Sequence, residues 1–123
     1  MVNLDKNIEI GMMLDFYGQL LTDRQEEIVQ MYYNNDLSLG EISQNLGITR
    51  QGVFDNLKRS EKALFEMERK LGLVQRFLDQ KRKILQVLDV VNEIENDVIN
   101  NNVEEICNKI NQVRNTLSFV LED

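Results

Sequence analysis

Between Ser38 and Lys62 the chain reads SLGEISQNLGITRQGVFDNLKRSEK, and several of its side chains have the chemistry of nucleic-acid contact. Gln51 can pair bidentately with an adenine edge, and Arg50 can reach a phosphate or a guanine edge. Lys58, Arg59 and Lys62 suit phosphate oxygens. Asp55 works against them, because a carboxylate repels phosphate, although it can accept a hydrogen bond from cytosine. At about 100° per residue, a helix with Val53 and Leu57 turned inward presents Gln51, Asp55, Lys58 and Lys62 outward, flanked by Gly52 and Arg59. Phe54 then lies at the edge of the core, within reach of a thymine methyl.

Other chemistries are missing. The chain has no histidine, which removes Ser-His and Cys-His nucleophile pairs and imidazole metal ligands. Its six glycines form no phosphate-binding loop pattern. Adjacent carboxylates such as Glu26–Glu27 and Glu104–Glu105 point in different directions on a helix and read as solvated surface. The sequence therefore predicts a non-enzyme with no cofactor and no metal centre. The N-terminal stretch lacks the apolar segment of a signal peptide, no apolar run approaches the roughly 18 residues of a membrane span, and Cys107 stands alone, so a soluble cytoplasmic protein is expected.

Charge sharpens the question. The net charge is −7, yet residues 50–83 hold ten Lys/Arg against five Asp/Glu. That basic island includes a second cluster, Arg76, Lys81, Arg82 and Lys83, which reads either as a further contact patch or as a solvated helix surface.

The elements that must position these residues are all helical. There is no proline to interrupt them. A first helix is expected over residues 5–19, with Ile8, Met12, Phe16 and Leu20 as its apolar stripe. Thr22 and Gln25 form a capping box for a second helix to about Asn34 that buries Ile28, Met31 and Tyr32. Ser38 and Glu41 form another box, with Leu37 and Ile42 as a hydrophobic staple, for a short helix ending near Leu46. Gly47 supplies the turn, with Ile48 tucked under it, and Thr49 caps a helix that runs until Gly72. A long helix over 73–99 carries an apolar face from Val74 to Ile94. After the break at Asn100–Asn102, a last helix over 103–121 places Val103, Ile106, Ile110, Val113, Leu117 and Val120 in a heptad seam. That seam packs on its neighbour or forms a homodimer, and Cys107 beside it reads as a small packing residue. The expected domains are 1–72, the helix-turn-helix region, and 73–123, a helical region for packing or dimerisation.

The stretch LTDRQEEIVQMYYNNDLSLGEISQNLGITRQGVFDNLKRSEKAL resembles region 4 of bacterial sigma factors. The order LTxRQ, YYxxDLSLxEI, GITRQxVxDNLKR and a charged helical tail is similar to the YlxM family of small bacterial proteins, over nearly the whole chain. The resemblance implies an all-α, sigma region 4-like helix-turn-helix bundle and a DNA-binding regulator of transcription. It also implies a part in the signal recognition particle pathway. Carried onto this chain, the motif puts Thr49, Arg50 and Gln51 at the start of the recognition helix. The candidate DNA-binding set is then Thr49, Arg50, Gln51, Asp55, Asn56, Lys58, Arg59 and Lys62. The pattern departs from sigma factors at Phe54 and Asp55, and the chain is too short to be a complete sigma factor. Two alternatives stay open: an RNA- or protein-binding accessory factor of the particle acting through the second basic cluster, and a helical dimerisation module that does not touch DNA.

Overall fold

The computed structural model describes residues 5–122, and every element in them is helical. The helices are α1 (Lys6–Tyr17), α2 (Asp23–Val29), α3 (Leu39–Leu46), α4 (Arg50–Leu71), α5 (Leu73–Ile99) and α6 (Val103–Glu122). A 3-10 turn at Gly18–Leu20 follows α1, and a π-helical turn at Gln30–Asn34 extends α2. The chain divides into two compact units, one through Gln75 and one from Arg76. Among the described residues no helix is long and apolar enough to cross a membrane.

Among the described residues, all twelve buried apolar ones lie in the first unit. α1 reaches this core through Ile10, Met13, Leu14 and Tyr17, the i, i+3, i+4, i+7 pattern of a helix face. That corrects the expected stripe: Ile8, Phe16 and Leu20 are exposed, and Met12 is half-buried. α1 is apolar most of the way round, so spacing alone offered two faces. The hydroxyl of Tyr17 favours the observed one, because there it donates to Glu68 Oε1 at 2.7 Å and accepts from the Leu73 N–H at 3.1 Å. Leu20 leaves the stripe because it falls in the 3-10 turn.

The capping box of Thr22 and Gln25 starts α2 as expected. Ile28 is buried, but its companion is Val29; Met31 is half-buried and Tyr32 exposed. The π turn is the reason. The Asn35 N–H bonds back to the Gln30 carbonyl at 3.1 Å, five residues away, which rotates the following side chains relative to an α-helix. Tyr33 thereby turns inward and donates to the carboxylate of Glu61.

Glu61 is itself buried. It also accepts from Lys6 Nζ at 3.3 Å, and Lys58 Nζ lies 3.8 Å from it. One carboxylate thus ties α1, the π turn and α4 together. A second does the same further along α4: Glu68 accepts from the Val74 and Gln75 N–H groups at 3.0 and 3.1 Å, capping the start of α5. Leu73, Val74 and Gln75 therefore belong with the first unit, and Val74 is buried there.

In the second unit, α5 and α6 are joined at Asn100–Asn102, where Asn101 takes a left-handed φ of 57°. Lys109 on α6 bonds Asp97 of α5 at 2.6 Å, and Lys83 on α5 sits over the Phe119 ring at 4.5 Å. No residue from 76 to 122 is buried. The expected broad apolar face of α5 is present but open, with Ile84, Leu85, Leu88 and Val91 all exposed. Cys107 is exposed as well, and so is not the packing residue its neighbours suggested. The six-residue seam of α6 divides in two: Ile106, Val113 and Val120 are half-buried, whereas Val103, Ile110 and Leu117 are exposed.

Candidate nucleic-acid interface

The first unit carries α3 and α4 as a helix-turn-helix. Ser38 and Glu41 close the capping box of α3 with two bonds of 3.1 Å. At its other end Gly47 takes φ 67°, and its N–H bonds the Ser43 carbonyl. A left-handed residue is strained for most side chains, and glycine takes it without that cost. The Ile48 N–H also bonds the Ser43 carbonyl, at 3.2 Å. The turn is therefore closed by backbone bonds, and Ile48 is exposed rather than tucked beneath it.

Thr49 Oγ1 caps α4 by accepting from the Gly52 N–H at 2.9 Å. A Cβ at Gly52 would stand 3.1 Å from that same oxygen. Glycine costs helix stability at this position, about 1 kcal/mol against alanine, and the close cap accounts for its presence. Val53 and Leu57 are buried, with Ser60 and Leu64 continuing the inward face. The opposite face of α4 is solvent-exposed.

The candidate residues are not all alike on that face. Gln51, Asp55, Lys58, Arg59 and Lys62 are exposed together. Gln51 Nε2 donates to Asp55 Oδ1 at 2.9 Å, which aims the amide and leaves its carbonyl and second N–H outward. Lys58 is divided between Glu61 and the ring of Phe54, 5.4 Å away. Phe54 is exposed beneath it instead of sitting at the core edge. Arg59 and Lys62 make no ion pair among the described residues.

Thr49 spends its hydroxyl on the cap. Asn56 is half-buried, with Oδ1 3.2 Å from the buried Ser60 hydroxyl, so it belongs to the inner side of α4. Arg50 is exposed and folds back over the first turn of α3, where a Cβ at Gly40 would be 3.6 Å from its Nε.

The second basic cluster does not form one face. Arg76 and Lys83 share a side of α5, while Lys81 and Arg82 lie about 140° and 240° around from Arg76. Arg82 pairs with Asp79 at 3.4 Å, and Lys83 is held against Phe119.

Sequence reasoning missed Glu61 and Glu68. Both looked like ordinary helix-surface charge. The one available signal was their place on α4, since position 61 lies on the edge of the stripe formed by Val53, Leu57 and Leu64. The phenols they bind shift accordingly. Burial, then the bond to Glu61, pushes the Tyr33 phenol well up from its ordinary value of 10.0. Burial, then Glu68, raises that of Tyr17.

Two capped helices crossing at a left-handed glycine, with a polar outer face on the second, define a helix-turn-helix protein. The sequence pattern of the family described as "Putative helix-turn-helix protein, YlxM / p13 like" (UPF0122) matches residues 4–113, and the chain belongs to this family. A UPF0122 protein of Acetivibrio thermocellus is 52% identical over 102 residues, covering 83% of this chain and 86% of that one. Another, from a Thermoanaerobacter strain, is 48% identical over 113 residues, or 89% and 97% of the two chains. One from Bacillus cereus is 36% identical over 110 residues, or 89% and 98%.

Proposed function

We propose that this chain is a regulator that binds duplex DNA through the first half of α4 and acts by contact, not by catalysis. The observation that carries the reading is the exposed cluster on α4, in which Gln51 is aimed by Asp55 while Arg59 and Lys62 stand clear of ion pairs. In the major groove such a helix can offer the Gln51 amide to an adenine edge and its two cations to flanking phosphates. Asp55 acts here as a positioning residue: it repels phosphate, but it holds the reading group in one orientation. The net charge of −7 makes binding weak, and its dependence on ionic strength follows the small number of phosphates contacted.

A role in the signal recognition particle pathway, through RNA or protein contact, draws less support. The cluster that would make the contact is spread around α5, and two of its four cations are already engaged.

The test is selection from random duplex DNA, followed by binding curves for wild type, Gln51→Ala and Arg59→Ala. Arg59→Ala should weaken binding to every sequence alike. Gln51→Ala should flatten the preference at one base pair, by about 1–3 kcal/mol of discrimination. Absence of duplex binding at low salt, or indifference to both substitutions, refutes the proposal.

A further inference from the structure

We propose that the α5–α6 hairpin is half of a four-helix bundle completed by a second copy of this chain, with α5 of each copy lying along α6 of the other. The observation behind it is an apolar face that the hairpin leaves uncovered. On each helix two stripes repeat every seven residues, and only one is used within the chain. Ile106 and Val113 are half-buried, and Lys109 between them bonds Asp97 and lies 3.5 Å from Glu93, so that stripe of α6 faces α5. The second stripe is open. It consists of Ile84, Val91 and Val98 on α5, exposed by 49, 44 and 59%, and Val103, Ile110 and Leu117 on α6, exposed by 64, 42 and 42%.

The two open stripes form a single surface. At about 100° per residue, each lies roughly 40–60° further round its helix than the half-buried stripe beside it, Val87 and Ile94 on α5 and Ile106 and Val113 on α6. The helices run antiparallel, so equal rotations carry both stripes to the same side of the hairpin. They are also in step along it. The pairs Lys83–Phe119 and Glu93–Lys109 set which residues of α5 and α6 stand level. By that register Ile84 is level with Leu117, Val91 with Ile110, and Val98 with Val103.

A two-fold axis along the helices preserves these levels and sets each α5 antiparallel on the other copy's α6. Every open layer of one copy then meets its matching layer on the second: Ile84 on Leu117, Val91 on Ile110, Val98 on Val103. Charge agrees at the end of the face, where Lys81, exposed on α5, comes level with Glu122 at the acidic end of α6. The extent is adequate too. Some 20 residues of each helix span roughly 30 Å, and two helices are roughly 20 Å wide. That is on the order of 600 Å² per copy before side-chain relief is added, close to the roughly 800 Å² each partner gives to a stable specific dimer. A helical hairpin without one buried side chain has no core of its own, and a second copy supplies it.

Sedimentation of the full chain over a range of concentrations should show a dimer. Val91→Glu alone and Ile110→Lys alone should each weaken self-association by roughly a hundredfold or more, because each buries two charges per dimer. Circular dichroism confirms that the helices persist. Gln86→Glu, on the far side of the hairpin, should leave the dimer intact. Mixing the V91E and I110K chains should then restore a dimer. The introduced carboxylate of one chain meets the introduced ammonium of the other, while the second layer keeps Val91 on Ile110. A wild-type chain that stays monomeric at every concentration overturns the proposal. So do V91E or I110K chains that still dimerise alone, or a mixture of folded variants that stays monomeric, since that excludes α5 on α6.

Discussion

The two units of this chain are made from the same element and a similar share of apolar residues, yet they treat those residues in opposite ways. From Lys6 to Gln75, four helices pack around one core and bury twelve apolar side chains. From Arg76 on, two long helices lie side by side and bury none. Four helices joined by tight turns can enclose a core from several sides. A two-helix hairpin covers one stripe per helix and leaves the rest exposed, however apolar it is. The first unit thus buries a core of its own and leaves a polar face exposed on α4. The second leaves an apolar face exposed.

The strongest test of this contrast is truncation at one position in each unit. Leu64 is fully buried, and Leu64→Ala should cost about 2–5 kcal/mol in urea unfolding, since it leaves a cavity in a packed core. Leu121 is 86% exposed, and Leu121→Ala should cost no more than about 0.5 kcal/mol. Similar losses at both sites would break the comparison.

Next in size is the Tyr17–Glu68 link. Tyr17→Phe removes a hydroxyl that both donates to Glu68 and accepts from Leu73, and it should cost about 1–2 kcal/mol. The same link makes an alkaline prediction. Burial and the carboxylates beside them raise the Tyr17 and Tyr33 phenols above 10.0, so the folded chain holds these protons more tightly than the unfolded one. Their contribution is fully present below pH 10 and is lost as pH rises from 10 toward the raised folded values. The urea midpoint should therefore fall between about pH 10 and 12, a window that opens where an unperturbed tyrosine ionises. It should fall less in the Tyr17→Phe and Tyr33→Phe double variant. A wild-type midpoint that is flat across that window would remove the phenol–carboxylate links from the account.

An effect of similar size separates the turns of the two units. Gly47 has φ 67° with nothing within 4 Å of an added Cβ, so Gly47→Ala isolates backbone strain and should cost about 1–2 kcal/mol. Asn101 has φ 57° and already carries a side chain there, so Asn101→Gly should change stability by only a few tenths of a kcal/mol. If the two changes were equal, the turn of the first unit would be no more demanding than that of the second.

Much of the first unit could be read from local signals, because caps, staples and left-handed glycines act within four residues of each other. The boxes at Thr22 and Ser38, the turn at Gly47, the cap at Gly72 and the inward Val53 and Leu57 needed no knowledge of distant chain. Legibility ended where a choice depended on a partner far along the sequence. α1 offered two apolar stripes, and a bond from Tyr17 to Glu68, 51 residues away, favours one. A regular α-helix would turn Tyr32 inward, and the π turn with Glu61 brings in Tyr33 instead. At the candidate interface the residue types were legible, but their engagement was not. Gln51 and Asp55 looked like opposed signals and turn out to be bonded to each other; Asn56, placed in the candidate contact set, leans on Ser60.

The smallest expected effect bears on which unit meets nucleic acid. Both carry exposed lysines: Lys62 on the outer face of α4 and Lys81 on α5. A lysine that neutralises one phosphate displaces about one counterion, so its loss lowers the slope of log K against log salt by about 0.9. Lys62→Ala should produce that change on any duplex and leave the order of preferred sequences unaltered, because a phosphate contact carries no sequence information. Lys81→Ala should leave the slope unchanged, since that side chain lies in the apolar face assigned to the second copy. The outcome that inverts the comparison is a slope that responds to Lys81 and not to Lys62. The basic stretch of α5 would then be the nucleic-acid contact, and the helix-turn-helix would owe its shape to folding alone.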